Sequence, residues 1–121
     1  MAKIFVLEDN PAIREVVELI LETANYTVTS FANVSDFMNR EAKEVADLFI
    51  LDVMLPDGSG IDVCKSIKSD CMLCNTPVII MSANASIEQV KKGCVADGFI
   101  QKPFDIDFFL QKVWELISSS F

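Results

Sequence analysis

Apolar residues along this chain form short continuous runs that alternate with stretches of amphipathic character. Buried parallel strands have continuous apolar runs, whereas helices place apolar residues three or four positions apart. The runs predict five strands, at residues 3–7, 26–31, 48–53, 78–82 and 99–101. The second run is mixed in polarity, which is typical of a strand at the edge of a sheet.

Five helices are predicted from apolar positions at helical spacing, one after each strand. Asn10 can cap the first helix, and Pro11 suits its first helical position. The apolar positions are Ile13, Val16, Val17, Ile20 and Ala24 in the first helix, Phe37 and Met38 in the second (about 35–45), Ile61, Cys64 and Ile67 in the third, Ile87, Val90 and Cys94 in the fourth (about 86–94), and Ile106, Phe109, Leu110, Val113 and Ile117 in the fifth, which begins near Asp105.

The alternation of strands and helices predicts an α/β fold with a parallel sheet between two layers of helices. With right-handed crossovers, this is a doubly wound (βα)5 three-layer sandwich of the flavodoxin-like type, and the expected strand order is 2-1-3-4-5. A length of 121 residues fits one domain, which we expect to span residues 1–121.

Polar side chains follow the carboxyl ends of four predicted strands, at the edge where open α/β sheets bind ligands. The first strand is followed by Glu8 and Asp9, and the third ends around Asp52. The fourth ends at Ser82, and the fifth is followed by Lys102. If these strands are neighbours, three acids, one hydroxyl and one ammonium meet at a single edge. Such groups are suited to holding a divalent cation and a phosphoryl group.

Asp52 is the candidate nucleophile of this edge, because a carboxylate can form an aspartyl phosphate. Two carboxylates about 4 Å apart repel by roughly 4 kcal/mol at an effective dielectric of 20. A divalent cation removes that penalty, and Mg²⁺ prefers oxygen ligands and bridges carboxylates to phosphates. We therefore expect Mg²⁺ as the cofactor, with Ca²⁺ or Mn²⁺ as substitutes.

Composition narrows the classes of function further. A net charge of −8 disfavours direct binding of nucleic acid, which requires a basic surface. Hydrophobic residues make up 51% of the chain, which is enough for a packed core, and no apolar stretch is long enough to cross a membrane. With no signal peptide before the first strand, we expect a soluble cytoplasmic protein.

Cys71 and Cys74 have C-x-x-C spacing, but a zinc site needs two more ligands and the chain has no His.

Five short motifs lie at the predicted strand ends in a characteristic order. They are the pair Glu8-Asp9, residues 51–56 around Asp52, the loop 57–61, the hydroxyl in residues 81–83, and residues 99–104 with Lys102-Pro103. Together they make essentially the whole chain resemble a receiver domain of bacterial two-component response regulators, the fold shared with the chemotaxis regulator.

The resemblance implies a signalling domain and not an enzyme, phosphorylated on Asp52 by a histidine kinase or a histidine phosphotransfer protein. It implies that Mg²⁺ is bound by Asp9, Asp52 and the main-chain carbonyl of Met54, with Glu8 acting through water. Ser82 and Lys102 would contact the phosphoryl group. The domain would signal to an output partner or a fused effector domain.

Further roles are carried by residues around this site. The resemblance implies that Phe99 takes the place of an aromatic switch residue that responds to movement of Ser82, and that the Lys102–Pro103 peptide bond is cis. Met54 and Asn84 each lie two residues beyond a site residue, and we expect them to tune the lifetime of the aspartyl phosphate.

Phe108 is an aromatic residue that the helical wheel of the last helix places toward solvent. An exposed aromatic side chain favours contact with a partner. We expect Phe108 to contribute to an output or dimer surface built from the fourth helix, fifth strand and fifth helix. The domain would be a monomer or a phosphorylation-dependent dimer.

Three alternatives stay open at this point. A small Mg²⁺-dependent phosphatase or phosphotransferase with an Asp nucleophile usually has a second Asp two positions later, where this chain has Met54. A flavin-binding module would need a phosphate loop after the first strand, where Glu8 and Asp9 repel phosphate. A degenerate, phosphate-independent receiver would be expected to lack one of the chemical groups, and all are present.

Overall fold

The computed structural model describes residues 2–39, 45–70, 72–83 and 95–118. Its central sheet contains the strands β1 (Lys3–Leu7), β2 (Thr27–Phe31), β3 (Leu48–Asp52), β4 (Val78–Ser82) and β5 (Gly98–Gln101). The helices in these ranges are α1 (Pro11–Thr23), α2 (Val34–Met38), α3 (Gly60–Ser69) and α4 (Ile106–Ser118). Here α4 is the predicted fifth helix, because the predicted fourth helix lies outside the described residues.

All five strands are parallel, and their order in the sheet is β2-β1-β3-β4-β5. This confirms the predicted doubly wound, flavodoxin-like fold. Every residue of β3 and of β4 is buried, as their continuous apolar runs require. β2 lies at an edge and is only partly buried, which agrees with its mixed sequence. No described helix combines the length and apolar character of a membrane span.

Two apolar clusters cover the two faces of the sheet, because successive residues of a strand point to opposite faces. One cluster joins Ile4, Val6, Ile50, Ile79, Met81 and Ile100 to Val17, Ile20 and Leu21 of α1 and to Phe109, Val113 and Ile117 of α4. The other joins Phe5, Leu7, Phe49, Leu51, Val78 and Ile80 to Phe37 of α2 and to Val63, Cys64 and Ile67 of α3.

Four phenylalanine rings fix α2 against the sheet. Phe37 is fully buried and makes edge-to-face contacts with Phe31 and Phe49, at centroid distances of 5.3 and 5.7 Å. Phe5 packs edge to face on the same two rings of the sheet. Because edge-to-face pairs add stability beyond the area they bury, this short helix has a fixed position.

Some predicted core positions are wrong. Met38 is 52% exposed and Ile106 is 51% exposed, although both were expected to face the core. Met38 ends α2 one residue after its buried anchor, and Ile106 begins α4 at the rim of an open apolar groove beside α1. Val16 is also half exposed, whereas Leu21 is buried. The apolar stripe of each helix is wider than the strip that the sheet covers.

The start of α3 packs directly on the end of β3. A Cβ atom at Gly60 would lie 2.0 Å from the carbonyl oxygen of Asp52, closer than any real side chain allows. The Gly60 amide donates a hydrogen bond to the carbonyl of Val53 at 3.0 Å. This contact fixes the turn that follows Asp52.

Gly60→Ala should lower the free energy of unfolding by about 2–3 kcal/mol, because the backbone of Asp52 or of α3 must move to accommodate the methyl group. Urea denaturation measures this change. Gly58→Ala is the matched control, since its Cβ would lie 3.2 Å from a Val34 methyl that can shift. Equal losses in the two variants would contradict the account.

Candidate functional site

The carboxyl ends of the strands enclose a cavity of about 260 Å³. Its lining contains all five side chains that the sequence placed at this edge, namely Glu8, Asp9, Asp52, Ser82 and Lys102. Met54 also lines the cavity, together with Asn10, Ile13 and Ala83. Phe99 and Phe108 are not among the lining residues, and Asn84 lies outside the described residues.

Three carboxylates form the acidic part of this cavity. One oxygen each of Glu8, Asp9 and Asp52 lies within 4.8 Å of the others. Glu8 and Asp52 are buried, at 1% and 6% exposure, whereas Asp9 is exposed. Oxygen atoms in this arrangement are the ligands that a hard divalent cation prefers.

Lys102 supplies positive charge to the same cavity. Its Nζ lies 2.9 Å from Glu8 Oε2 and 3.4 Å from Asp52 Oδ2. The main-chain amide of Lys102 donates to the carbonyl of Ser82 at 2.9 Å, and the Lys102–Pro103 peptide bond is cis. One ammonium is shared by two of three acids, so the cluster has an excess of negative charge when all are ionised.

Glu8 has one carboxylate oxygen that the rest of the site leaves unsatisfied. Its Oε1 is buried and has no hydrogen-bond partner in the described part of the chain. Burial raises the pKa of Glu8 from 4.5 to about 7, Lys102 opposes this rise, and the charge of Asp52 adds to it. A buried polar atom without a partner is costly, so a water molecule or a cation fits this position.

The turn after β1 is held by contacts on both sides. The Asn10 side chain accepts hydrogen bonds from the amides of Ala12 and Ile13, at 3.0 and 3.2 Å, and so caps α1 as predicted. The Arg14 guanidinium donates to the main-chain carbonyl of Glu8 at 2.9 Å. Sequence reasoning missed Arg14, although a residue four positions after a helix cap reaches back over the preceding strand end.

Of the other predicted residues, Ser82 lines the cavity, whereas Phe99 and Phe108 do not. Ser82 is buried at the end of β4, on the strand next to β5. Phe99 is partly buried, pairs with Ile80 in the sheet register, and packs against the cluster that contains Phe37. Phe108 is 49% exposed on α4, as the helical wheel predicts.

The sequence of this chain matches a known family of domains over most of its length. A family model described as the response regulator receiver domain matches residues 4–114. The chain is 31% identical over 119 residues to the DNA-binding dual master transcriptional regulator RpaA of Synechocystis sp. and 32% identical over 115 residues to response regulator ArlR of Staphylococcus aureus. These alignments cover 97% and 93% of this chain, but 49% and 51% of those proteins. The chain therefore spans about half the length of the curated relatives it matches.

A solved structure agrees with the sequence relatives. The BeF3 activated receiver domain of DrrB, a protein of Thermotoga maritima, superposes with a TM-score of 0.86. It is 33% identical in sequence, and the alignment covers 98% of each chain.

Glu8→Gln should stabilise the protein at pH 8 without divalent cations, on the order of 3 kcal/mol, since the pKa of Glu8 rises from 4.5 to about 7 and one pKa unit corresponds to about 1.4 kcal/mol. The folded protein holds the Glu8 proton more tightly than the unfolded chain, so the contribution of Glu8 to stability falls as pH rises from about 4.5 to about 7. Urea denaturation between pH 5.5 and pH 8 in a chelator measures the difference between variant and wild type.

The exposed Glu22 on α1 provides the control, because Glu22→Gln removes the same charge far from the cavity. Its difference from wild type should be small at every pH. A Glu8→Gln difference that stays constant across this range would contradict the raised pKa.

Proposed function

We propose that Asp52 of this chain, which belongs to the family of response regulator receiver domains, accepts a phosphoryl group. This modification is the signal that the domain transmits. The observation that supports this assignment is the convergence of three carboxylates and Lys102 on one open cavity. The domain would assist its own phosphorylation and dephosphorylation, but its role is signalling and not turnover of a metabolite.

Asp52 is well positioned to accept the phosphoryl group. It ends a fully buried strand, so its backbone is fixed while its carboxylate faces the cavity. One of its oxygens would form a bond to phosphorus as the bond between phosphorus and the donor atom breaks. Catalysis of such a transfer consists mainly of positioning and charge stabilisation, which a rigid strand end and fixed neighbours provide.

Mg²⁺ would be held by Asp9, Asp52 and the main-chain carbonyl of Met54, with Glu8 acting through water. When bound, it neutralises charge on the carboxylates and on the transferring group. The unsatisfied Oε1 of Glu8 and the mutual approach of three acidic oxygens both fit such an ion. Ca²⁺ or Mn²⁺ would be accepted in its place, since both also bind oxygen ligands.

Lys102 and Ser82 would contact the phosphoryl oxygens. The ammonium already lies within 3.4 Å of Asp52, so a small movement away from Glu8 would bring it to a phosphoryl group on that residue. Movement of Ser82 toward the new acceptor oxygens would vacate space that Phe99 can occupy. Phosphorylation adds about −1.5 to −2 charges and three acceptor oxygens, which supplies the energy for such a shift.

The output would be a shift between two populated states of the domain. Moving an equilibrium from 1:99 to 99:1 takes about 5.5 kcal/mol of differential stabilisation, and a partial response takes less. The shift would change the surface formed by the fourth predicted helix, β5 and α4, on which Phe108 lies.

The rival enzyme classes are not favoured. A phosphatase with an Asp nucleophile would need a second acid two positions later. This chain has Met54 there, with a side chain that is 65% exposed and not acidic. A flavin module would need a phosphate loop after β1, where Glu8 and Asp9 lie in the acidic cavity. A phosphate-independent receiver is not favoured either, since each group needed for the chemistry lines one cavity.

The phosphoryl donor would be a histidine kinase or a histidine phosphotransfer protein, since response regulators act with histidine kinases. The matched relative RpaA is described as DNA-binding, and this chain spans about half of its length. An effector domain or separate output partner would therefore carry any DNA binding, because this receiver has a net charge of −8.

We also propose that residues 1–121 all belong to the receiver domain and that the protein acts in the cytoplasm.

Met54 and Asn84 would tune the lifetime of the aspartyl phosphate. Met54 lines the cavity with an exposed side chain, which would flank the path of a water attacking Asp52. Asn84 has the corresponding place two residues after Ser82 in the sequence.

Incubation with acetyl phosphate or phosphoramidate and Mg²⁺ should raise the intact mass by one phosphoryl group, as measured by mass spectrometry. Asp52→Asn should abolish the adduct, because the amide is a poor nucleophile. Asp107→Asn, at an exposed position on α4, is the control and should react like wild type. An unmodified wild type, or an adduct that persists in Asp52→Asn, would refute the assignment.

Phe108→Ala should weaken self-association of the phosphorylated domain, or its affinity for an output partner, by about tenfold, which corresponds to about 1.4 kcal/mol. Analytical ultracentrifugation of the phosphorylated protein measures the dimer. Leu19→Ala removes a comparably exposed apolar side chain from α1 and should have no effect. Equal association of Phe108→Ala and wild type would show that Phe108 is not part of the interface.

A further inference from the structure

We infer that Asp57 is a positioning residue for the phosphorylation site, because its carboxylate fastens the loop after Asp52 to the start of α2. The inference rests on the proposed function and extends it to a residue that does not line the cavity. Asp57 lies in the turn between the short antiparallel segments Met54–Leu55 and Gly58–Ser59.

Two hydrogen bonds make this attachment. Asp57 Oδ1 accepts from the amide of Val34 at 2.8 Å, and Oδ2 accepts from the amide of Ser35 at 2.9 Å. Each carboxylate oxygen thus has its own donor on a segment more than twenty residues earlier in the chain. The bonds from Val34 and Ser35 hold the pKa of Asp57 below its usual value, so the carboxylate is ionised at neutral pH.

These amides are ones that α2 cannot satisfy by itself. The first four amides of a helix lack partners within the helix. The carbonyl of Asn33, the N-cap residue, accepts the first helical hydrogen bond from the amide of Phe37 at 3.3 Å, and its side chain accepts from the amide of Asp36 at 2.7 Å. The amides of Val34 and Ser35 come before that first helical bond and are bound by Asp57, so removal of its carboxylate would leave them to solvent.

The attachment point is itself fixed to the sheet. Phe37 of α2 is fully buried among the rings of Phe31 and Phe49, so the start of the helix cannot follow a moving loop. The loop also touches α2 at Gly58, where an added Cβ would lie 3.2 Å from Val34. Asp57 therefore connects the loop to a rigid part of the fold and not to another mobile segment.

The loop is a hairpin in which Met54 pairs with Ser59, and it is attached to the rest of the fold at its base and at its tip. At its base, Gly60 packs on the backbone of Asp52, and at its tip, Asp57 binds α2. Release of the tip would leave Asp52 in place on β3 but allow the hairpin as a unit, with Met54 in it, to shift relative to Asp52. Because the main-chain carbonyl of Met54 is a proposed ligand, the expected consequence is weaker binding of Mg²⁺ and slower phosphorylation, with the acceptor still reactive.

The test compares Asp57→Ala and Asp57→Asn with wild type. Isothermal titration with Mg²⁺ gives the Kd, and acetyl phosphate at saturating Mg²⁺ gives the initial rate of phosphorylation. Asp57→Ala should raise the Kd about tenfold, as loss of a group supporting a metal ligand does. Asp57→Asn keeps one acceptor oxygen and should lie between Asp57→Ala and wild type. Hydrogen exchange should show faster exchange of the Val34 and Ser35 amides in both variants.

Asp62→Ala is the matched control. Asp62 is an exposed acid in the first turn of α3, and it lines the same small cavity beside α2 as Asp57. Its removal changes the charge of this region equally, so an effect of charge alone would appear in both variants. The positioning role predicts a Kd within twofold of wild type for Asp62→Ala.

Several outcomes would overturn the inference. The first is a Kd for Mg²⁺ that is unchanged in Asp57→Ala although the Val34 and Ser35 amides exchange faster. The second is unchanged exchange of these amides in that variant. The third is a rise in the Kd for Mg²⁺ in Asp62→Ala equal to that in Asp57→Ala. If Asp57→Ala does not fold, Asp57→Asn decides the question by the same measurements.

The test also separates this inference from the proposed function. A wild type that is phosphorylated on Asp52 with Asp57→Ala indistinguishable from it refutes only the positioning role. A wild type that binds Mg²⁺ more tightly than Asp57→Ala but takes no phosphoryl group refutes only the proposed function. A wild type that binds no Mg²⁺ refutes both.

Discussion

The crowding of three carboxylates around one ammonium is the constraint on which the rest of this site depends. Glu8, Asp9 and Asp52 approach one another within 4.8 Å, a separation at which like charges repel strongly in a partly buried cavity. Lys102 relieves this repulsion only in part, since it contacts Glu8 and Asp52 and leaves a second oxygen of Glu8 unsatisfied. This excess of negative charge favours the binding of a cation, as the proposed function requires.

The fold imposes this crowding through the order of its strands. β1 and β3 are neighbours in the centre of the sheet, so the acids that follow them meet at its carboxyl edge. The strands are buried on both faces and cannot separate to relieve the repulsion. The loops are fixed as well, by Asn10 at the start of α1, by Gly60 at the start of α3 and by Asp57 at the start of α2. Under the proposed function, the response would begin at side chains that line the cavity, such as Lys102 and Ser82.

Most of the architecture was predictable because the strands carry their own signal. Residues 48–51 are apolar throughout and Asp52 follows them directly, so this short segment predicts both the strand and a candidate functional residue at its end. Predictions on helices were weaker. Ile106 and Met38 have the right spacing for a core face, yet each is about half exposed, because each lies at an end of its helix.

The contacts that adjust the site were not predictable from local sequence. Lys102 binds Glu8 across 94 residues, and Asp57 binds Val34 across 23, so only the tertiary fold brings these partners together. The sequence alone indicates only that Asp57 is an ordinary turn residue before a glycine. Its part in holding the loop after Asp52 becomes visible only when α2 is in place beside it.

The most direct measurement of the central claim is X-ray diffraction from crystals soaked in Mn²⁺, because the anomalous signal of manganese locates the ion independently of any chemical assumption. The account predicts one strong peak within coordination distance of Asp9 and Asp52, with the Met54 carbonyl directed at it and Glu8 on its far side. Diffraction at saturating Mn²⁺ with no peak in this cavity would contradict it.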